Sequence, residues 1–318
     1  MAGHHHHHHH VDPEAGDAKV FWAVFVNMAL TVVQIVGGVL SGSLALIADA
    51  LHNFSDAISL IIAFVARKIA RRPANEDMTF GYGRAEVVAA LVNYTTLIVI
   101  GLYLVYEAVM RFFQPEPVVG WMVVIIAAVA LVVDLVTALL TYSLSKDSMN
   151  IRAAFLHNLA DAMGSVAVIL AGSLVILFDW WLVDPLVTLL IAGYILYMAF
   201  SEIGPAIRIL MLGNAPGLDT QKVLSDIRAV PGVDSIHHVH LWQMQEHENA
   251  LDAHVVITEG KWSQADAIKH AIKDRLASHF HIHHATLELE CTHHACPEPQ
   301  TIGHAAEDSP ALKHTHHH

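Results

Sequence analysis

A histidine and an aspartate stand four residues apart in "LHNFSDA", residues 51–57, and again in "LHNLADA", residues 156–162, each time inside an apolar run. Side chains four apart share one face of a helix, so His52 points with Asp56 and His157 with Asp161. An ionisable side chain at membrane depth costs about 3 kcal/mol or more and marks a pathway or a site. Two such pairs on two helices can converge as two nitrogens and two oxygens, a tetrahedral set suited to Zn2+. Two ionised aspartates balance one divalent cation, while neutral imidazoles add donors without adding charge. Once the metal leaves, the doubly negative site must take up protons. Exchange of metal for protons is thus a consequence of the donors. A structural hydrogen bond between neighbouring turns would explain one such pair; two near-identical copies in separate spans favour ligands.

The surrounding composition calls for a membrane. Hydrophobic residues make up 54% of the 318 and charged residues only 15%, and the mean hydropathy is +0.46. A soluble domain carries about a quarter charged residues. The net charge of -13 argues against a nucleic-acid partner. The two cysteines, Cys291 and Cys296, are too few for a disulfide framework, whereas 26 histidines point to metal chemistry. The N-terminal stretch "MAGHHHHHHHVDPEAGD" lacks the pattern of a signal peptide. Its seven histidines read equally as a tag or as a metal-collecting tail like the terminal "KHTHHH".

Six apolar segments are long enough to span a bilayer: 20–39, 44–66, 85–110, 121–144, 153–178 and 185–200. Arg67, Lys68, Arg71, Arg72 and Arg84 lie between the second and third, Lys146 and Arg152 between the fourth and fifth, and Arg208 after the sixth. Arg111 is alone on the opposite side, which predicts a multi-pass protein with both termini cytoplasmic. Beyond the sixth span the order helix, strand, strand, helix, strand predicts a small α+β domain. Its strands are expected in "DSIHHVHLWQM", "ALDAHVVIT" and "ATLELE", and its second helix is expected to start at an N-cap, Ser263. The expected domains are a tail, 1–18; a six-helix membrane domain, 19–205; a cytoplasmic domain, 206–292; and a Cys/His-bearing tail, 293–318.

"SGSLALIADALHNFSDA", "FGYGRAE" and "RAAFLHNLADAMGS" resemble the cation diffusion facilitators, over nearly the whole chain from Lys19 to Glu290. Within that family the chain is similar to the zinc-transporting exporters. The resemblance implies a homodimer of the bacterial inner membrane that exchanges Zn2+ for H+ at His52, Asp56, His157 and Asp161. It also implies a ferredoxin-like, metallochaperone-like cytoplasmic domain. There His240, His254 and Glu290 match positions that bind zinc in some members, with His237 and His238 weaker candidates. The loop "ARRPANEDMTFGYG" has no histidine, so the further loop site of some relatives is expected to be missing.

Several features stay open between roles. "CTHHAC" packs thiols and imidazoles together without the C-x-x-C spacing, and reads as a secondary zinc site or as a free tail. Asp49 and Asp134 read equally as proton-path groups or as polar contacts between helices. A membrane zinc sensor or store, or an exporter of cadmium, cobalt and nickel as well, is the alternative function. An enzyme is not expected, since no H-E-x-x-H motif occurs and neither pair supplies a general base beside an open metal position.

Overall fold

The computed structural model describes residues 28–142, 149–245, 248–296 and 299–303, without the side chains of residues 60, 140–142, 149–154 and 157. Six apolar helices come first: α1 (Met28–Ser41), α2 (Leu44–Ala70), α3 (Ala85–Phe113), α4 (Gly120–Tyr142), α5 (Met149–Phe178) and α6 (Val183–Leu210). The last five are long and apolar enough to cross a membrane. Residues 20–27, where the first span is expected to begin, lie outside the described residues. After the helices come α7 (Thr220–Arg228), β1 (Val233–Gln245), β2 (Glu248–Ile257), α8 (Ala265–Phe280) and β3 (Ile282–Cys291).

The chain divides into two units, 1–65 with 92–203 and 66–91 with 204–318, so the boundaries fall inside α2, α3 and α6. In the first unit, small residues let helices approach. Ala45 and Leu46 of α2 pack with Val123 and Ala127 of α4, Val168 and Ala171 of α5, and Val187 of α6. Ala48 of α2 packs with Leu97 and Leu104 of α3 and with Ala192, Ile195 and Ala199 of α6. Such contacts suit helices in lipid, where packing rather than water exclusion drives association. Phe64, Leu139, Leu190 and Tyr197 stay exposed, as lipid-facing positions require.

The turn from α1 to α2 is pinned by polar contacts. Gly42 has φ +71°, and a Cβ there would lie 2.7 Å from the Pro117 carbonyl oxygen. At the start of α2, the Asp184 carboxylate from α6 accepts from the Ser43 hydroxyl at 2.5 Å and from the amides of Leu44 at 2.8 Å and Ala45 at 3.4 Å. Those amides have no partner within the helix, so a carboxylate from another helix completes them.

The second unit builds a three-stranded sheet in the order β1-β2-β3. β1 and β2 are antiparallel, β2 and β3 parallel. The parallel pair needs a crossover, which α8 supplies. Val223, Leu224 and Ile227 of α7 and Ile268, Ile272 and Leu276 of α8 bury one sheet face against Ile236, Leu251, Ala253, Val255 and Ile257. Asp219 caps α7, accepting from the amides of Gln221 and Lys222. Ser263 is not the cap of α8: a 3-10 turn over Trp262–Gln264 precedes the helix, and its N-cap residue Gln264 makes no capping hydrogen bond. β3 begins earlier than its alternating pattern suggests, because His281, at φ 54°, ends α8 and turns the chain straight into the strand.

Candidate metal centres

The first centre joins two helices. His52 of α2 places Nε2 3.6 Å from Asp56 Oδ2, one turn along, and 3.4 Å from Asp161 Oδ1 on α5. One ligand atom from each of the three lies within 4.8 Å of the others. His52 and Asp161 are buried; Asp56 is partly open. The side chain of His157 lies outside the described residues, and its backbone stands in α5 one turn before Asp161. The structure therefore brings together His52, Asp56 and Asp161 of the four residues that the sequence nominates.

A polar layer holds this centre. Gln34 of α1 donates to Asp49 Oδ2 at 2.7 Å, and Asn53 donates to Gln34 Oε1 at 3.4 Å. Asp49 therefore ties α1 to the face of α2 that carries His52. Gly164 of α5 leaves room for Asp49, since a Cβ there would lie 3.2 Å from Oδ1. Ser165 of α5 donates to Asp134 of α4 at 3.3 Å. The Tyr194 ring of α6 meets the His52 imidazole edge-on, with centroids 6.4 Å apart. Asp49 and Asp134 thus each make the interhelical contact that was one of their two sequence readings. Gln34, Ser165 and Asp184 escaped the sequence reading; the only hint was their polarity inside apolar runs.

The second centre lies on the sheet face away from α7 and α8. His237 of β1 stands opposite His254 of β2, and His254 opposite Glu288 of β3. His254 Nδ1 is 2.7 Å from Glu290 Oε1 and its Nε2 3.3 Å from Glu288 Oε2. His237 Nε2 is 3.3 Å from Glu290 Oε2. The His237, His238 and His254 rings lie with centroids 4.9 to 5.3 Å apart. Burial raises the Glu290 carboxyl, but the His254 hydrogen bond and the charges of His237 and His254 outweigh it and hold it below the usual range.

His240 is placed elsewhere. It is exposed and stands opposite Asp252, outside the metal-competent groups among the described residues. A bulge is the reason. From His237 to His240, β1 takes three steps against two on β2, and His238 adopts φ 49°. The extra residue sets His240 one same-face step beyond His254, farther from the Glu290 end of the sheet, while His238 turns toward His254. His237 and His238, the weaker sequence candidates, occupy the position expected of His240.

The C-terminal cysteines separate. Cys291 Sγ is 3.1 Å from His294 Nδ1. The Cys296 thiol donates to Glu290 Oε1 at 3.7 Å. Burial, and then the negative charge of Glu290, push the Cys296 thiol up.

Comparison with known proteins agrees with this architecture. The cation efflux transmembrane domain matches residues 20–211, and the cation efflux protein cytoplasmic domain matches residues 215–291. The chain is 36% identical to "Zinc transporter ZitB" of Pectobacterium atrosepticum, over 96% of this chain and 98% of that protein. It is 36% identical to "Cadmium, cobalt and zinc/H(+)-K(+) antiporter" of Bacillus subtilis, over 88% and 91%. It is 33% identical to "Metal cation efflux system protein CzcD" of Cupriavidus metallidurans, over 90% and 91%. Among solved structures, the metal-bound C-terminal domain of the CzcD transporter is 32% identical, covering 23% of this chain and 99% of that one, with a TM-score of 0.22. With apolar helices that carry a His/Asp centre, a small α+β domain, and family matches across both, the chain belongs to the cation efflux family of multi-pass membrane metal transporters.

Proposed function

We propose that the protein exports cytoplasmic Zn2+ in exchange for H+, with His52, Asp56, His157 and Asp161 as the transport ligands. It acts as a homodimer in the inner membrane with both termini in the cytoplasm. The observation that supports this most is the approach of His52 to carboxylates of two helices, Asp56 on its own and Asp161 on α5. Groups that costly in lipid persist where they handle a charge. Zn2+ is the cargo here, and its departure leaves two carboxylates that protons neutralise for the return. The antiporter name of one relative agrees with proton coupling. On the cytoplasmic sheet, the His237, His254 and Glu290 face responds to metal and modulates the dimer.

A broader cargo is the second reading. A nitrogen-oxygen donor set binds several divalent ions in the Irving–Williams order, and two of the relatives carry cadmium and cobalt in their names. Flux into proteoliposomes under an imposed pH gradient tests both. Zn2+ should move against its own gradient when protons run the other way, and Asp161→Ala should stop it. Binding without flux would identify a sensor or a store instead; equal rates for Zn2+, Cd2+ and Co2+ would favour the broader exporter.

A further inference from the structure

Residues 300–303, beyond β3, pair with the outer edge of β1. The His238 amide donates to the Gln300 carbonyl at 2.9 Å, the Val239 amide to Thr301 at 3.1 Å, and the Gly303 amide to Val239 at 3.2 Å. Val239 and Ile302 form a parallel bridge. These bonds fall on the bulge, where β1 has left its regular pairing with β2. Cys296 lies between β3 and that segment in the chain. Ligand atoms of His237, His238, His254 and Cys296 all lie within 4.8 Å of one another. His237 is only 2% exposed; its Nε2 faces Glu290 Oε2 at 3.3 Å, and its Nδ1 makes no hydrogen bond among the described residues.

We propose that His237, His238, His254 and Cys296 form a three-imidazole, one-thiolate site for a divalent cation such as Zn2+ or Cd2+, and that the bound ion latches the C-terminal segment onto β1. This rests on the reading of the sheet face as metal-responsive, and it changes the ligands. Metal–nitrogen and metal–sulfur bonds of about 2.1 and 2.3 Å put tetrahedral donors about 3.5 Å apart, so the widest pairs contract by at most about an ångström. Side-chain rotation supplies that.

Glu290 becomes the carboxylate that orients the ligands. It touches His254 at 2.7 Å, His237 at 3.3 Å and the Cys296 thiol at 3.7 Å. A carboxylate on the far nitrogen of a ligating histidine is the usual support of such a site. The charge closes as well: one thiolate and the Glu290 carboxylate balance the divalent ion, and the thiol proton leaves to solvent. The exposed Glu288 carboxylate, 3.3 Å from His254 Nε2, turns to solvent to free that nitrogen. Sulfur among the donors favours Zn2+ and Cd2+ over harder cations.

Co2+ added to the full chain in detergent tests the latch, because only a cysteine ligand produces a thiolate-to-cobalt charge-transfer band in the near ultraviolet. The transport ligands contain no sulfur and cannot contribute. The band should appear in the parent protein, persist in Cys291→Ser and vanish in Cys296→Ser, with Cd2+ affinity at this site falling at least tenfold. Hydrogen exchange at the Val239 amide should slow on Cd2+ addition in the parent and not in Cys296→Ser. A band that survives Cys296→Ser, or that vanishes only in Cys291→Ser, overturns the proposal in favour of the Cys291–His294 pair. Tetrahedral cobalt bands that depend on His237 and His254, without any thiolate band, would overturn the latch and leave the sheet-face reading standing. Cobalt spectra unchanged in a His237→Ala/His254→Ala double variant would overturn both.

Discussion

Asp184 couples the fold to the proposed transport ligands, because α2 carries His52 and Asp56 and Asp184 holds its first turn. In Asp184→Ala the Ser43 hydroxyl and the Leu44 amide lose acceptors at 2.5 and 2.8 Å, and the Ala45 amide loses a weaker one at 3.4 Å. Leaving a buried donor unsatisfied costs about 1–3 kcal/mol each, more when the lost acceptor was charged. Two strong bonds and one weak one predict a loss of about 3–5 kcal/mol. Asp184→Asn keeps one acceptor oxygen, which can serve the backbone amides while its amide group donates to a reoriented Ser43 hydroxyl. The favourable charge at the helix N-terminus and the acceptor of the Ser43 proton are then lost while both backbone amides stay satisfied, with a cost of about 1–3 kcal/mol. Unfolding of the purified protein by SDS titration measures both variants, with Zn2+ affinity as the second readout. The alanine variant should unfold well before the asparagine variant and bind Zn2+ more weakly. Equal effects of the two substitutions, or a loss under about 1 kcal/mol in Asp184→Ala, would refute the reasoning.

Gly172→Val should cost about 1–3 kcal/mol by forcing α4 and α5 apart, read from the same unfolding titration. A Cβ at Gly172 already falls 2.9 Å from Val124 Cγ2 and 3.1 Å from the Gly120 carbonyl oxygen. His52→Asp should shift flux from Zn2+ toward Mn2+, because it exchanges an imidazole for a third carboxylate and an oxygen donor suits the harder ion. Transport assays with the two ions in competition measure the shift, and an unchanged preference would remove His52 from the selectivity ligands.

What the sequence showed depended on how local the cause was. The helices were legible because each apolar run is long, and the approach of His52 to Asp56 and Asp161 because the four-residue spacing of histidine and aspartate occurs twice. The order of elements in the α+β domain followed from β-rich segments on either side of an amphipathic helix, whereas the sheet order β1-β2-β3 came from the structure. That His237 rather than His240 stands opposite His254 was not legible, because a bulge is a single residue of excess length and "HHVHLW" offers three histidines without marking where the ladder shifts. The Asp184 cap joins residues 140 and more positions apart, so no local pattern announces it. The return of the chain at 300–303 to the edge of β1 is similarly non-local, since its three hydrogen bonds use backbone alone. Ser263 met the composition rule for a cap but was drawn into the turn ahead of α8.

Proton release on Zn2+ binding tests the exchange mechanism most directly. Calorimetric titrations of the full chain in two buffers of different ionisation enthalpy count the protons displaced per Zn2+. The Asp161→Ala variant, titrated alongside, separates the proposed transport ligands from the sheet of the second unit and the histidine tails. The account predicts that the variant binds one fewer Zn2+ per chain and loses the protons that this ion displaces. Zn2+ affinity should also fall as pH drops from about 7.5 to 6, because protons and metal compete for the same imidazoles and carboxylates. If the variant lost that Zn2+ while proton release stayed the same, metal and protons would not share these side chains, and the exchange mechanism would be contradicted.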